Sequence, residues 1–149
     1  MFIRIGDIVG HSAAIYDVQY DGKYLYSASG DKFVARWNID TLEQDKFAIQ
    51  FPVTPYTISL NPSINHIAVG LSDCALHIFD IESRLEIKHL ALQQKGIFAL
   101  EYLPELNWLV AGDADGLLSI WKSSTYELVV RLPLDCGKIR TIIYNKITD

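Results

Sequence analysis

His11, Ser27 and Asp31 stand close together in the chain, and their side chains are the parts of a nucleophilic machine: a general base, a hydroxyl and an orienting carboxylate. Three further histidines (His66, His77 and His89) and two cysteines (Cys74 and Cys136) complete the imidazole and thiol groups of the chain. No cysteine pair has the spacing of a zinc clip, so no metal is expected. Neither a GxxxxGK[ST] loop nor a GxGxxG fingerprint occurs, which leaves nothing to cradle a phosphate, and no cofactor is expected.

The elements that must position these groups are repeats. Trp37, Phe79 and Trp121 are spaced 42 and 42 residues apart, and an aspartate stands six residues before each, at Asp31, Asp73 and Asp115. Around each aromatic the chain reads as four short antiparallel strands joined by tight turns, of which Asp21-Gly22 is the clearest. A period in the low forties built from such strands is a propeller blade. The reading predicts an all-β chain with blades at about 11–51, 52–92 and 93–132, a stray strand at 2–9 and another at 139–145. It is treated as one partial propeller over 1–149, with no linker and no helix.

The run Ser27-Ala-Ser-Gly-Asp31, followed by Trp37-Asn38 and preceded by Gly10-His11, closely resembles the WD-repeat family. The resemblance implies a different use for the apparent catalytic set. In that family the corresponding His, Ser, Asp and Trp form a structural network, with the imidazole bridging the turn aspartate and the serine, and the hydroxyl meeting the indole N–H. Carried over position by position, the tetrad is His11, Ser27, Asp31 and Trp37, and no catalytic residue is expected. The histidine column reads His11, Phe51, Gln93, Asp135, and the serine column Ser27, Val69, Ala111. For the second and third copies only Asp73, Phe79, Asp115 and Trp121 are transferred, because apolar packing can replace a buried polar network at little cost.

A blade is sandwiched between neighbours, so three blades leave two uncovered faces. Either the chain is about half of a longer ring, or copies of it associate to close one. The resemblance implies that function sits at one rim, formed here by loops near 10–15, 52–56, 93–98 and 135–140 and turns at 29–32, 71–74 and 113–116. Tyr16, Tyr56 and Phe98 recur at one blade position, and Arg140 follows them. Aromatic and arginine side chains are what protein interfaces use as anchors, although these rings also suit a wedge between blades. Lys95, with Lys32, Asp113 and Lys138, would add polar rim contacts.

Composition fits this reading. The chain has 149 residues, half of them apolar, and a net charge of −5 with the signs interspersed. It is long enough to bury a core, and no basic run tracks a phosphate backbone, so nucleic acid is not expected. Two distant cysteines suit a reducing compartment, and no apolar run reaches membrane-spanning length, so a cytoplasmic location and no membrane partner are expected. The sequence therefore favours a non-catalytic protein-interaction scaffold; the alternative is a fragment or ligand-binding half of a larger propeller enzyme.

Overall fold

The computed structural model describes residues 1–91 and 94–146. The protein is all-β. Its first sheet contains β1 (Ile15–Tyr20), β2 (Tyr24–Ser29), β3 (Phe33–Asn38) and β4 (Glu43–Gln50). A second contains β5 (Pro55–Asn61), β6 (His66–Leu71), β7 (Leu76–Asp80) and β8 (Glu86–Leu90). The third contains β9 (Ile97–Leu103), β10 (Trp108–Asp113), β11 (Leu117–Lys122) and β12 (Leu128–Pro133), with a single 3₁₀ turn at Pro104–Leu106. Each sheet is an antiparallel meander in chain order.

The turns repeat as closely as the strands. Lys32, Cys74 and Gly116 all have positive φ (72°, 77° and 86°), at intervals of 42 residues. So do Leu42, Arg84 and Tyr126 (60°, 61° and 59°), whose N–H groups bond back to the carbonyls of Asn38, Asp80 and Lys122. Side chains are disfavoured in this left-handed region, so the same strained turn is imposed on dissimilar residues by the blade around it.

The core lies between blades. Tyr26 and Phe47 of the first sheet pack with Ile58, Ile67 and Phe79 of the second. Ala68, Leu76 and Ile78 of the second pack with Ile97, Leu100 and Trp121 of the third. β1 runs beside β5, and β5 beside β9, so first strands line the axis. Gly70 allows the second seam to close: a Cβ there would stand 2.7 Å from Ile97 Cγ2.

Polar bonds tie the same seams. Asp17 Oδ2 accepts from Thr57 Oγ1 (3.0 Å) and from the Ile58 N–H (2.8 Å). One seam further on, Ser59 Oγ accepts from the Tyr102 N–H at 2.9 Å.

The flank of the first blade has no such cover. In the cross-strand register, Val18, Ile58 and Leu100 occupy equivalent places on β1, β5 and β9, opposite Ser27, Val69 and Ala111. Ile58 and Leu100 are 0% and 5% exposed, whereas Val18 is 44% exposed.

Two expected strands are corrected. Residues 2–9 and 139–145 belong to no ladder, because an extended segment becomes a strand only by pairing with a neighbour and, among the described residues, neither has one. Each still touches the fold. Gly6 lies against Leu42 and Gly10 against the Trp37 ring, while Ile139 covers Gly112 as Ile97 covers Gly70. The Ile139 N–H also bonds to the Asp113 carbonyl at 3.0 Å.

Candidate functional site

In the first blade the four singled-out side chains form one hydrogen-bonded chain. His11 Nδ1 lies 2.8 Å from Asp31 Oδ2, and His11 Nε2 lies 2.7 Å from Ser27 Oγ. Trp37 Nε1 donates to the same Oγ at 2.7 Å. With a carboxylate at Asp31, the consistent arrangement has Nδ1–H donating to Asp31 and the serine hydroxyl donating to Nε2. Asp31 also accepts the N–H groups of Ser12 (3.0 Å) and Phe33 (3.1 Å). Burial opposes its ionisation, but the bonds from His11, Ser12 and Phe33 outweigh it and hold the carboxyl below its ordinary value.

This order of groups is also that of a catalytic triad. Two features set it apart. Ser27 is 2% exposed, so its hydroxyl is turned into the protein rather than presented to solvent. That oxygen also already receives the indole N–H, which stabilises the hydroxyl in place rather than freeing it for attack.

The other blades place the equivalent residues differently. Trp37, Phe79 and Trp121 are all buried, on β3, β7 and β11. In the second blade Phe51 meets Phe79 edge-on at 5.7 Å, as His11 meets Trp37 at 5.4 Å, so a ring pair replaces the polar chain. Asp73 is exposed and accepts the Ala75 N–H at 3.2 Å. Gln93 lies outside the described residues.

In the third blade the turn acceptor is corrected from Asp115 to Asp113. Asp115 is exposed, whereas Asp113 is buried and its Oδ1 accepts the N–H groups of Asp115 and Leu117, both at 2.9 Å. The register explains this. Asp113 occupies the place of Ser29, which accepts the Asp31 N–H in the first blade, and a carboxylate there reaches further round the turn. Asp113 is therefore not a rim contact. Among the described residues neither Asp113 Oδ2 nor Trp121 Nε1 has a hydrogen-bond partner; Ala111 stands where Ser27 would supply one for the indole.

The rim aromatics come together. Tyr16 meets Tyr56 edge-on at 5.1 Å, and Tyr56 stacks on Phe98 at 4.5 Å. Lys138 Nζ lies 4.1 Å over the Phe98 ring. Each ring belongs to the residue skipped in its strand's register, between Ile15 and Asp17, Pro55 and Thr57, and Ile97 and Ala99. A β-bulge re-aims the side chain it carries, which turns these three out of the alternation and onto one another. Tyr16 is 53% exposed, the other two are half-buried, and Lys95 and Arg140 are exposed. With Arg140, Asp17 and Glu101 the rings surround a cavity of ≈ 170 Å³ on the axis. Burial, with Asp17 nearby, pushes the Glu101 carboxyl above its ordinary value.

The geometry defines a blade array, and the comparisons supply its family. The family described as WD domain, G-beta repeat matches residues 3–38 and 86–122. The chain is 28% identical over 123 residues to transcription initiation factor TFIID subunit 5 of Caenorhabditis elegans, covering 78% of this chain and 18% of that protein. It is 30% identical over 105 residues to Topless-related protein 3 of Arabidopsis thaliana, covering 70% of this chain and 9% of that one. Among solved structures, U3-55K superposes with a TM-score of 0.83 at 13% identity over 90% of this chain and 43% of its own. The computationally designed Ika4 protein superposes with a TM-score of 0.83 at 20% identity over 98% of this chain and 89% of its own. The chain belongs to the WD-repeat family and its fold is that of WD40 β-propellers. Proteins of this family typically act as interaction scaffolds. No helix among the described residues is long and apolar enough to cross a membrane.

Proposed function

We propose that this chain is a non-catalytic scaffold that binds a protein partner at the axial rim. The observation that supports it is the bulge-aimed arc of Tyr16, Tyr56 and Phe98 with Arg140 beside it. Rings held on one another lose little freedom on binding and offer apolar area, to which the two tyrosines add polar tips, the character of interface hot spots. Lys95 contributes a peripheral charge. The tetrad of His11, Ser27, Asp31 and Trp37 serves in this reading as a brace, satisfying buried polar groups where the N-terminal segment meets the blade. The uncovered flanks are closed by further blades of a longer ring or by a second copy.

Proximity cross-linking of cell extract to the wild-type chain, Tyr56→Ala and Arg140→Glu tests the rim. Partners recovered by wild type and lost from both variants, with unchanged far-ultraviolet circular dichroism, are the expected result. Recovery of the same partners by both variants would remove the rim from consideration.

A further inference from the structure

A different site emerges at the opposite end of the blades from the rim. Leu42, Arg84 and Tyr126 occupy one turn position, fixed by positive φ and by the backbone bond of that turn. From it each side chain reaches back over the preceding unit. Leu42 lies against Gly6. Tyr126 bonds through its hydroxyl to His66 Nδ1 and to the Tyr102 hydroxyl, both at 2.7 Å, and its ring stacks on His66. Tyr126 is 8% exposed, so the groove between the second and third blades is plugged by its phenol.

The equivalent groove between the first and second blades is left open. Arg84 stands there instead of a tyrosine, is exposed, and spends Nη1 on the Lys46 carbonyl at 3.1 Å. A cavity of ≈ 650 Å³ remains, lined by Lys23, Arg36, Lys46 and Arg84 with Tyr24 and Glu82 among the other walls. Four of the chain's thirteen lysines and arginines thus meet around one groove of a protein whose net charge is −5. Arg36 is neutralised by Asp45 and lies 4.4 Å over the Tyr24 ring, with Lys23 Nζ 5.0 Å from the same ring. Lys23 and Lys46 are exposed, and with the remaining donors of Arg84 they outnumber the one carboxylate, Glu82, not already paired to Arg36. Three cationic side chains facing a single unpaired carboxylate of the groove repel one another, and an anionic ligand relieves that repulsion.

We infer that this inter-blade groove binds an acidic peptide segment of a partner protein, with Arg84 and Lys46 on its carboxylates and Tyr24 as the apolar floor. Successive side chains of an extended peptide point to opposite sides, and the guanidinium of Arg84 on the second blade and the ammonium of Lys46 on the first suit carboxylates alternating in that way. The site does not depend on the rim, whose rings are carried by β1, β5 and β9 at the other end of the blades.

Fluorescence anisotropy with a fluorescein-labelled decaglutamate peptide reads the groove directly, with a ten-nucleotide RNA and an uncharged Gly-Ser peptide as separate arms. Wild type is expected to bind decaglutamate in a salt-dependent manner and to ignore the Gly-Ser peptide. Arg84→Tyr, which places in this turn the residue that plugs the next groove, should weaken binding by about tenfold or more, the loss for one charge-assisted hydrogen bond. Lys46→Glu, an exposed change that leaves the seam intact, should weaken it by a similar factor. Arg140→Glu at the rim should leave it unchanged. Absence of decaglutamate binding, binding by both groove variants as tight as that of wild type, or tighter binding of the RNA than of the peptide would each overturn the inference.

Discussion

Ser27 offers the sharpest test of how the first blade is held. Replacing it with alanine removes the oxygen that accepts the Trp37 N–H and donates to His11 Nε2. Trp37 is 3% exposed and the His11 side chain 7% exposed, so water restores little of either bond. A buried group left without its partner costs about 1–3 kcal/mol, and two that share one oxygen cost about 2–4 kcal/mol together. With a urea m-value of about 2 kcal/mol/M the unfolding midpoint should fall by about 1–2 M. The neighbouring blades supply controls. His11→Phe, Ser27→Val and Trp37→Phe combined copy Phe51, Val69 and Phe79 of the second blade, where no polar group needs a partner. That triple variant should be more stable than Ser27→Ala alone by about 1 kcal/mol, since replacing all partners by apolar groups can be nearly neutral. Ala111→Ser is the reverse experiment: a hydroxyl beside Trp121 Nε1 gives that orphaned donor an acceptor and should add about 1 kcal/mol. Urea unfolding followed by circular dichroism measures all three. A Ser27→Ala change of less than about 0.5 kcal/mol, or a triple variant no better than the single, would refute the brace.

Acid should weaken the second seam through His66. Burial lowers its pKa from 6.5, with Asp80 opposing, so the folded chain favours the neutral ring. Between the folded pKa and 6.5 the unfolded chain binds more protons, and stability falls as pH drops through this window, by at most about 1.4 kcal/mol per pH unit. Asp31 and Asp45 have pKa values lowered from 3.8, and their contributions are lost only as pH falls below that. His66→Gln should flatten the decline below pH 6.5 relative to wild type; identical slopes would rule out His66 as its source. For the flanks, sedimentation of the 149-residue chain should show a discrete dimer in the micromolar range if copies close the ring, and a well-folded monomer would show that the exposed Val18 face needs no cover.

The architecture was legible because its period is written in residue types. An aromatic and an aspartate at a fixed interval of 42 are visible without coordinates. The tetrad followed, since its first copy carries all four members. What stayed hidden depended on backbone geometry. Leu42, Arg84 and Tyr126 share a left-handed turn that nothing in their chemistry announces. The bulges aiming Tyr16, Tyr56 and Phe98 appear only when opposing registers are counted. Asp115 stood in the expected column, but a carboxylate two residues earlier, on the strand rather than in the turn, took the backbone bonds. The basic groove escaped because its walls come from β2, β3, β4 and three separate turns, so no local run of charge marks it.

The seams also share a direction. Ile58 and Thr57 donate backward to Asp17, Tyr102 donates backward to Ser59, Arg84 bonds backward to Lys46, and Ile97 and Ile139 each fill a glycine notch in the sheet before them. In each of these contacts the hook belongs to the later unit and the eye to the earlier one. The array is therefore polar, like a zip that closes one way. A chain emerging from its N-terminus presents each new blade with a finished set of eyes, and a repeat appended at the C-terminal side needs only its own hooks to seat.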